Sequence, residues 1–339
     1  MKFKKFFIKH KITAWTITAI LAVILVFVLL CLSTYIPKAA DTDYSSEVCL
    51  NNAYIQSTPL ISAHRAGRNL APENTMAAFK ECFENNNDYS VDILEFDLHI
   101  TKDKRLILLH DETLDRTSDC KEVFGEKDVK PQNKTFAELK QYNMGYHFSV
   151  NGEYIYRGTD ADLTYCRIVS LEEVLDYLRG QESDLKKQFN YIIEIKNDGA
   201  LGNEAMRLLY ETLISYDILD RTIVGTFNKS VSEYMDANCP GVIRSAGIDE
   251  VLDFYFSCMF NVDFSQKNVK YKVLQIPYKT YVINLGKKAI IDYAHKYGLA
   301  VQYWTINNEK DIEALTAMGA DAIITDDPKL AYNLIHGNR

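Results

Sequence analysis

The chain has 339 residues, 47% hydrophobic and 25% charged, with 46 acidic side chains against 38 basic ones. That balance excludes a disordered or low-complexity chain and leaves room for one large domain or two small ones. The net charge of −8 conceals an asymmetry: residues 1–40 carry six lysines and no acid, which leaves −14 on residues 41–339, a poor match to nucleic acid.

Residues 1–13, with Lys2, Lys4, Lys5, Lys9 and Lys11, read as a cytoplasmic basic tail. Ala14–Ile36 contains no charge over 23 residues. About 20 apolar residues span a bilayer, so 14–36 is expected to be one transmembrane helix, and the basic flank keeps the amino terminus inside. The rest of the chain would then lie outside the cell membrane. Pro37-Lys38-Ala39-Ala40 makes a weak signal-cleavage site. Residues 37–57, with Ser45-Ser46 and Asn51-Asn52, read as a polar stalk. Six cysteines follow the span and none forms C-x-x-C. An oxidising exterior would permit disulfides, for instance between Cys120 and Cys166, while burial as small apolar side chains is the other reading.

From residue 58 to 339, β-rich runs alternate with amphipathic helical runs. Strands are expected at Leu60–His64, Ile93–His99, Tyr191–Lys196, Thr222–Phe227, Val242–Ser245, Val273–Ile276, Ala300–Thr305 and Ala322–Thr325. Eight such strands separated by helices predict an α/β fold closed as a (β/α)₈ TIM barrel. Leu106–His110 follows Ile93–His99 too closely for a crossover helix, so it predicts an antiparallel hairpin strand. Folding the chain about Asp103 then sets His110 opposite Phe96 and beside Glu95 and Asp97. The stretch of about 111–167 is polar and weakly periodic, an insertion after the second barrel strand with the character of a functional cap.

Residues i and i+2 of a strand share a face, so Glu95 and Asp97 point together, as do Glu194 and Lys196. Both pairs interrupt apolar runs, ILEFDL and YIIEIK. Buried carboxylates are paired, hydrogen-bonded or holding metal. Three acids on neighbouring interior faces suit a hard divalent cation, Mg²⁺ or Ca²⁺; ion pairs with Lys196 and Arg65 are the alternative. His64 ends the first strand and His110 the hairpin strand. At the carboxyl ends of barrel strands, where barrel chemistry sits, they form a candidate acid/base pair. Asn74 or Thr75 would cap the first helix, His99 would sit at the rim or behind the site, and Trp304 would pack in the core or wall the site.

The motifs H-R-A-G…P-E-N-T, E-x-D, L-L-H-D-E-T-L-D-R, E-I-K, W-T-x-N and T-D-x-P occur in this order between Ile61 and Pro328. The combination resembles the glycerophosphodiester phosphodiesterase family. The resemblance implies a metal-dependent (β/α)₈ barrel that hydrolyses glycerophosphodiesters of the deacylated phospholipid or polyglycerophosphate type to glycerol phosphate and an alcohol. Glu95, Asp97 and Glu194 would be the metal ligands, His64 and His110 the acid/base pair, Arg65 and Lys196 the phosphate contacts and Trp304 the contact to the alcohol. Ala66 departs from the pattern, which usually has Gly directly after H-R. The alternatives are a phospholipase D-like enzyme acting on lysophospholipids and a catalytically silent headgroup-binding module.

Overall fold

The computed structural model describes residues 15–26, 36–84, 89–158, 160–279 and 284–337. Nine strands form one sheet: β1 (Leu60–Ala63), β2 (Ile93–Ile100), β3 (Leu106–Leu108), β4 (Asn190–Ile195), β5 (Thr222–Gly225), β6 (Ile243–Arg244), β7 (Val273–Pro277), β8 (Ala300–Trp304) and β9 (Ala322–Thr325). All but β3 are parallel, in the order β6-β5-β4-β2-β1-β9-β8-β7. A parallel bridge from Ser245 to Val273 joins the two ends, and the expected eight-stranded TIM-like barrel results.

Helices α1 (Met76–Glu84), α2 (Leu171–Leu185), α3 (Gly199–Ser215), α4 (Lys229–Asn238), α5 (Ile248–Met259), α6 (Lys288–Lys296), α7 (Glu309–Met318) and α8 (Pro328–His336) return the chain between strands and after the last. Their starts follow local chemistry. Ser170 accepts the Glu173 backbone N–H while Glu173 reaches back, a capping box that opens α2. Asn308 and Asp327 accept backbone N–H groups at the starts of α7 and α8.

The hairpin has the expected register: Leu98 faces Leu108, and Ile100 faces Leu106. The ladder continues with Leu109 N–H donating to Asp97 O at 3.0 Å, which leaves His110 opposite Phe96. The insertion builds a small core of its own against this strand, with Leu114, Val129, Leu139 and Met144 on Ile107 and Leu109.

The interior changes character with height. At the amino-terminal ends of the strands Ile93, Ile192, Ile223, Val273, Ala300 and Ala322 close the barrel with an apolar layer. Two residues on, the same inward faces bear Glu95, Glu194, Gly225, Gln275 and Ile324, which line an open cleft.

Residues 37–57 do not form a free stalk. Tyr54 and Ile55 are buried beneath the apolar layer, and the Asn52 amide donates to Lys272 O and Gly298 O, both at 2.9 Å. The stretch plugs the barrel floor, because these apolar and amide groups find partners there that a solvated stalk would lack. All six cysteines of the domain are unpaired, buried thiols, so Cys120 and Cys166 do not bridge the insertion.

Among the described residues no helix is long and apolar enough to cross a membrane. Residues 15–26 of the expected span are helical and exposed throughout. The remainder of the span and the basic tail 1–13 lie outside the described residues.

Candidate active site

The cleft at the carboxyl ends of the strands, open to solvent, is lined by His64, Arg65, Glu95, Asp97, His110, Glu194, Lys196 and Trp304 among others. The fold therefore gathers all eight residues singled out from sequence into one place. Parallel pairing sets Asp97 directly beside Glu194 and Glu194 beside Gly225. Gly225 keeps the cleft open: a Cβ there would stand 3.3 Å from Ser245 Oγ and 3.4 Å from Gln275 Oε1.

Glu95, Asp97 and Glu194 each offer a carboxylate oxygen, all within 4.8 Å of one another. Lys196 Nζ lies 3.0 Å from Asp97 and 2.8 Å from Glu194, and Arg65 Nε lies 3.8 Å from Asp97, so the ion-pair reading is realised for both cations. It does not account for the whole cluster. Burial, and then the Asp97 charge, push the Glu95 carboxyl well above its ordinary range. Burial raises Glu194 too, against the pull of Lys196. For Asp97 burial is outweighed by Lys196, His110 and Arg65, and its carboxyl is lowered. Three acids thus face fewer cations than they need. An all-oxygen set with that surplus of negative charge fits a hard divalent cation.

A left-handed turn carries the first half of the site. Arg65, Ala66 and Gly67 have φ of 51°, 62° and 84°; Ala66 holds a conformation that glycine adopts without strain. The turn aims the Arg65 backbone N–H at Glu95 Oε2, 2.6 Å away. Asn74 is also left-handed, with φ of 56°. Its amide donates to Asp97 Oδ2 at 2.9 Å, so it orients a carboxylate rather than capping a helix.

Each histidine is oriented by its own aspartate. His64 Nδ1 meets Asp326 Oδ1 at 2.6 Å, and His110 Nδ1 meets Asp111 Oδ1 at 2.7 Å. A carboxylate only accepts, so Nδ1 carries the proton and Nε2 is left free for chemistry. Asp326 is held in turn by the Asn307 amide at 2.7 Å. Burial would raise the Asp326 carboxyl, but His64 and Arg68 outweigh it and lower it. The Asp111 carboxyl is strongly lowered, first by its hydrogen bond to His110 and then, against burial, by Arg116.

Arg116, from the start of the insertion, ties the two halves together. It donates to Asp111 Oδ2 at 2.6 Å and to Glu73 Oε1 at 2.6 Å, and Glu73 Oε1 also accepts from Arg65 at 2.9 Å. Burial raises the Glu73 carboxyl, and these two guanidinium groups more than reverse it.

Sequence reasoning assigned no role to Asp326, Asn307, Asp111 or Arg116, although W-T-x-N, T-D-x-P and H-D-E-T-L-D-R contain them. His99 is fully enclosed behind the site, its ring pushed down to about 4 by burial. Trp304 stands at the mouth with its ring edge to Phe227, centroids 6.2 Å apart, which gives an apolar wall.

Comparison with known proteins follows the same outline. The sequence model of the Glycerophosphoryl diester phosphodiesterase family matches residues 64–330. A glycerophosphodiester phosphodiesterase of Caldanaerobacter subterraneus subsp. tengcongensis is 28% identical over 282 residues, covering 81% of this chain and 97% of the relative. Human lysophospholipase D GDPD3 is 26% identical over 288 residues, covering 79% of this chain and 82% of the relative. Among solved structures, an Oleispira antarctica phosphodiesterase in complex with the product sn-glycerol-3-phosphate is similar with a TM-score of 0.61 and 21% identity. It covers 82% of this chain and 97% of that chain. At these identities the solved structures speak for the fold.

Proposed function

The chain belongs to the glycerophosphoryl diester phosphodiesterase family and is a phosphoric diester hydrolase, and we propose that it cleaves glycerophosphodiesters to glycerol phosphate and an alcohol using His64 and His110 as its acid/base pair. The observation that carries this reading is the pair of Asp-held imidazoles, His64–Asp326 and His110–Asp111, placed over one carboxylate cluster.

A phosphodiester is anionic and repels an oxygen nucleophile. Arg65 and Lys196, which line the cleft, draw the phosphate in and offset the charge that builds as the nucleophile adds. A divalent cation, Ca²⁺ or Mg²⁺, held by Glu95, Asp97 and Glu194 would supply Lewis-acid stabilisation of a non-bridging oxygen. One histidine takes the proton of the attacking hydroxyl at its free Nε2, and the other, entering as the imidazolium that its aspartate stabilises, gives its Nε2 proton to the departing alkoxide. Each contributes about 10²–10⁴-fold. The Asp partners hold the proton on Nδ1 in both rings, so Nε2 is the atom that takes the proton in one and gives it in the other. Trp304 and Phe227 present an apolar face to the alcohol.

The uncharged run Ala14–Ile36 behind a basic flank supports an anchor, with the barrel outside the cell membrane. A second reading, release of the headgroup alcohol from lysophospholipids, draws support from the named activity of the human relative.

The test is hydrolysis of glycerophosphocholine by the full chain with and without EDTA, with product identification. Activity lost to EDTA and restored by Ca²⁺ or Mg²⁺ supports the reading; activity indifferent to chelation sinks it. His64→Ala and His110→Ala are expected to abolish turnover while the cation still binds. Activity within a few-fold of wild type would remove that residue from the mechanism.

A further inference from the structure

The outer face of α5 carries an apolar stripe beside the exposed Asp249 and Asp253. Ile248, Leu252, Phe256 and Phe260 recur at every fourth residue and are 57%, 45%, 39% and 61% exposed. Four-residue spacing keeps them in one stripe along the helix, while Phe254, Tyr255, Cys258 and Met259 are buried on the other side. The acids of this helix are matched: Asp249 by Lys229 at 2.8 Å, Glu250 by Arg244 at 2.7 Å and Asp253 by Lys267 at 2.5 Å. Each carboxylate of α5 thus has a cation beside it, Arg244 serving Asp236 as well.

Its upper end reaches the catalytic mouth. Ile248 and Leu252 share a depression with Phe227, whose ring is 55% exposed and also lines the catalytic cleft.

The chain's approach to the barrel lies on the neighbouring helix. Val48 lies against Gly298 at the foot of α6, and Tyr44 sets its ring edge on His295. The Thr42 hydroxyl donates to Asp292 and meets His295 Nδ1, each at 2.9 Å. Asp41 pairs with Lys288 at 3.1 Å. Followed from residue 48 back to 41, the chain thus climbs α6 from its foot toward the catalytic face. Ile36 and Ala39 then pack on an apolar cluster to which α5, α6, α7 and α8 all contribute, and the Tyr44 hydroxyl lies beside Gly319 at the end of α7. In sequence this approach is preceded by the exposed apolar helix over 15–26.

From these observations we infer that the α5 stripe is a lipid-docking surface, which lays the barrel on its α5–α6 flank and brings the Phe227–Ile248 edge of the mouth to a bilayer. The occupant is the acyl–headgroup boundary of a membrane. Apolar side chains of an amphipathic helix insert there, and the chain reaches the barrel along the adjacent helix α6. Resting on the phosphodiesterase reading, this deepens it: phosphodiesters held at a lipid surface, such as lysophospholipids, become substrates alongside dissolved ones.

The experiment uses the full chain in phosphatidylcholine vesicles with brominated acyl chains. Leu252→Trp is compared with Leu185→Trp, an exposed apolar position at the end of α2 well round the barrel, each corrected for the wild-type signal of Trp15 and Trp304. Docking predicts quenching about twofold or more stronger at 252 than at 185; equal quenching overturns it. In a second arm, Leu252→Ser with Phe256→Ser is expected to lower turnover of lysophosphatidylcholine in vesicles about fivefold while water-soluble glycerophosphocholine stays within about twofold. Loss of a dimer in the serine variant, with lipid quenching at 252 no stronger than at 185, would assign the stripe to a second copy of the chain and overturn the proposal. A wild type inactive on both substrates would refute the phosphodiesterase reading, while quenching would still decide the docking.

Discussion

Asp326→Asn tests whether the orientation of His64 is part of the chemistry. The two side chains have nearly the same volume, and Asp326 is 8% exposed with His64 at 13%, so solvent cannot take over the lost contact. The Asn307 amide already donates to Asp326 Oδ2. An asparagine in place of Asp326 would direct its carbonyl oxygen toward that donor and turn its own N–H₂ toward His64 Nδ1. His64 would then have to accept at Nδ1 and carry its proton on Nε2, the wrong tautomer for a base and one without the stabilising charge for the imidazolium. A general acid/base is worth about 10²–10⁴-fold, and the same substitution in the Ser-His-Asp triad costs about 10⁴. The expected loss in kcat is therefore about 10²–10⁴-fold, or about 3–5.5 kcal/mol at about 1.36 kcal/mol per decade. KM should stay within a few-fold because Arg65 and Lys196 are untouched. The assay is steady-state release of glycerol phosphate from glycerophosphocholine at saturating cation, with thermal unfolding as a control for the fold. A kcat within about threefold of wild type, in a folded variant, would refute the tautomer argument. Asp111→Asn should cost less, because the His110–Asp111 pair is about one-third exposed and water can replace part of the contact.

Arg116→Lys keeps the charge but loses the fork that joins Asp111 to Glu73. A single ammonium cannot hold both carboxylates in that geometry, so kcat should fall about tenfold and KM should rise as Glu73 releases Arg65; both parameters unchanged in steady-state kinetics would refute the coupling. Gly225→Val drives branched methyls into the space beside Ser245 and Gln275. It should destabilise the barrel by about 1–3 kcal/mol and remove most activity, and denaturant titration with an activity assay checks both. Glu182→Gln probes stability away from the site. Burial raises this carboxyl, but Arg221 and the Phe189 N–H outweigh it, so its folded value is lowered. A depressed carboxyl stabilises above its unfolded value of about 4.3 and loses that contribution as pH falls through the folded value. The variant should be less stable by about 1–3 kcal/mol at neutral pH, with the gap closing below about pH 4. Urea unfolding that shows a gap independent of pH would contradict the assignment.

The periodic and local features were legible in the sequence. Alternating strand and helix patterns specify a parallel barrel because each period buries one face. The spacing Glu95-x-Asp97 sets two acids on one face through strand geometry, and the tight turn at Asp103 returns the chain so that His110 lies close to them. Glu194 joins them through the parallel register that pairs it with Asp97. The polar stretch 37–57 misled, since polarity does not reveal that Asn52 finds partners on the barrel floor and Thr42 on α6, more than 200 residues away.

What the sequence by itself determined is the set of chemical groups and the height at which each leaves its strand. Only the tertiary structure decided how those groups are held. His64 and Asp326 are 262 residues apart, and they meet because β9 closes on β1 with Ala63 beside Thr325. Arg116 reaches Glu73 because the insertion folds back over the first loop. Such pairings depend on closure of the barrel, a long-range event with no local period. For that reason the reacting groups could be read from motifs, while the Asp326 and Arg116–Glu73 links appeared only in the folded chain; Asp111 adjoins His110 and pairs with it locally.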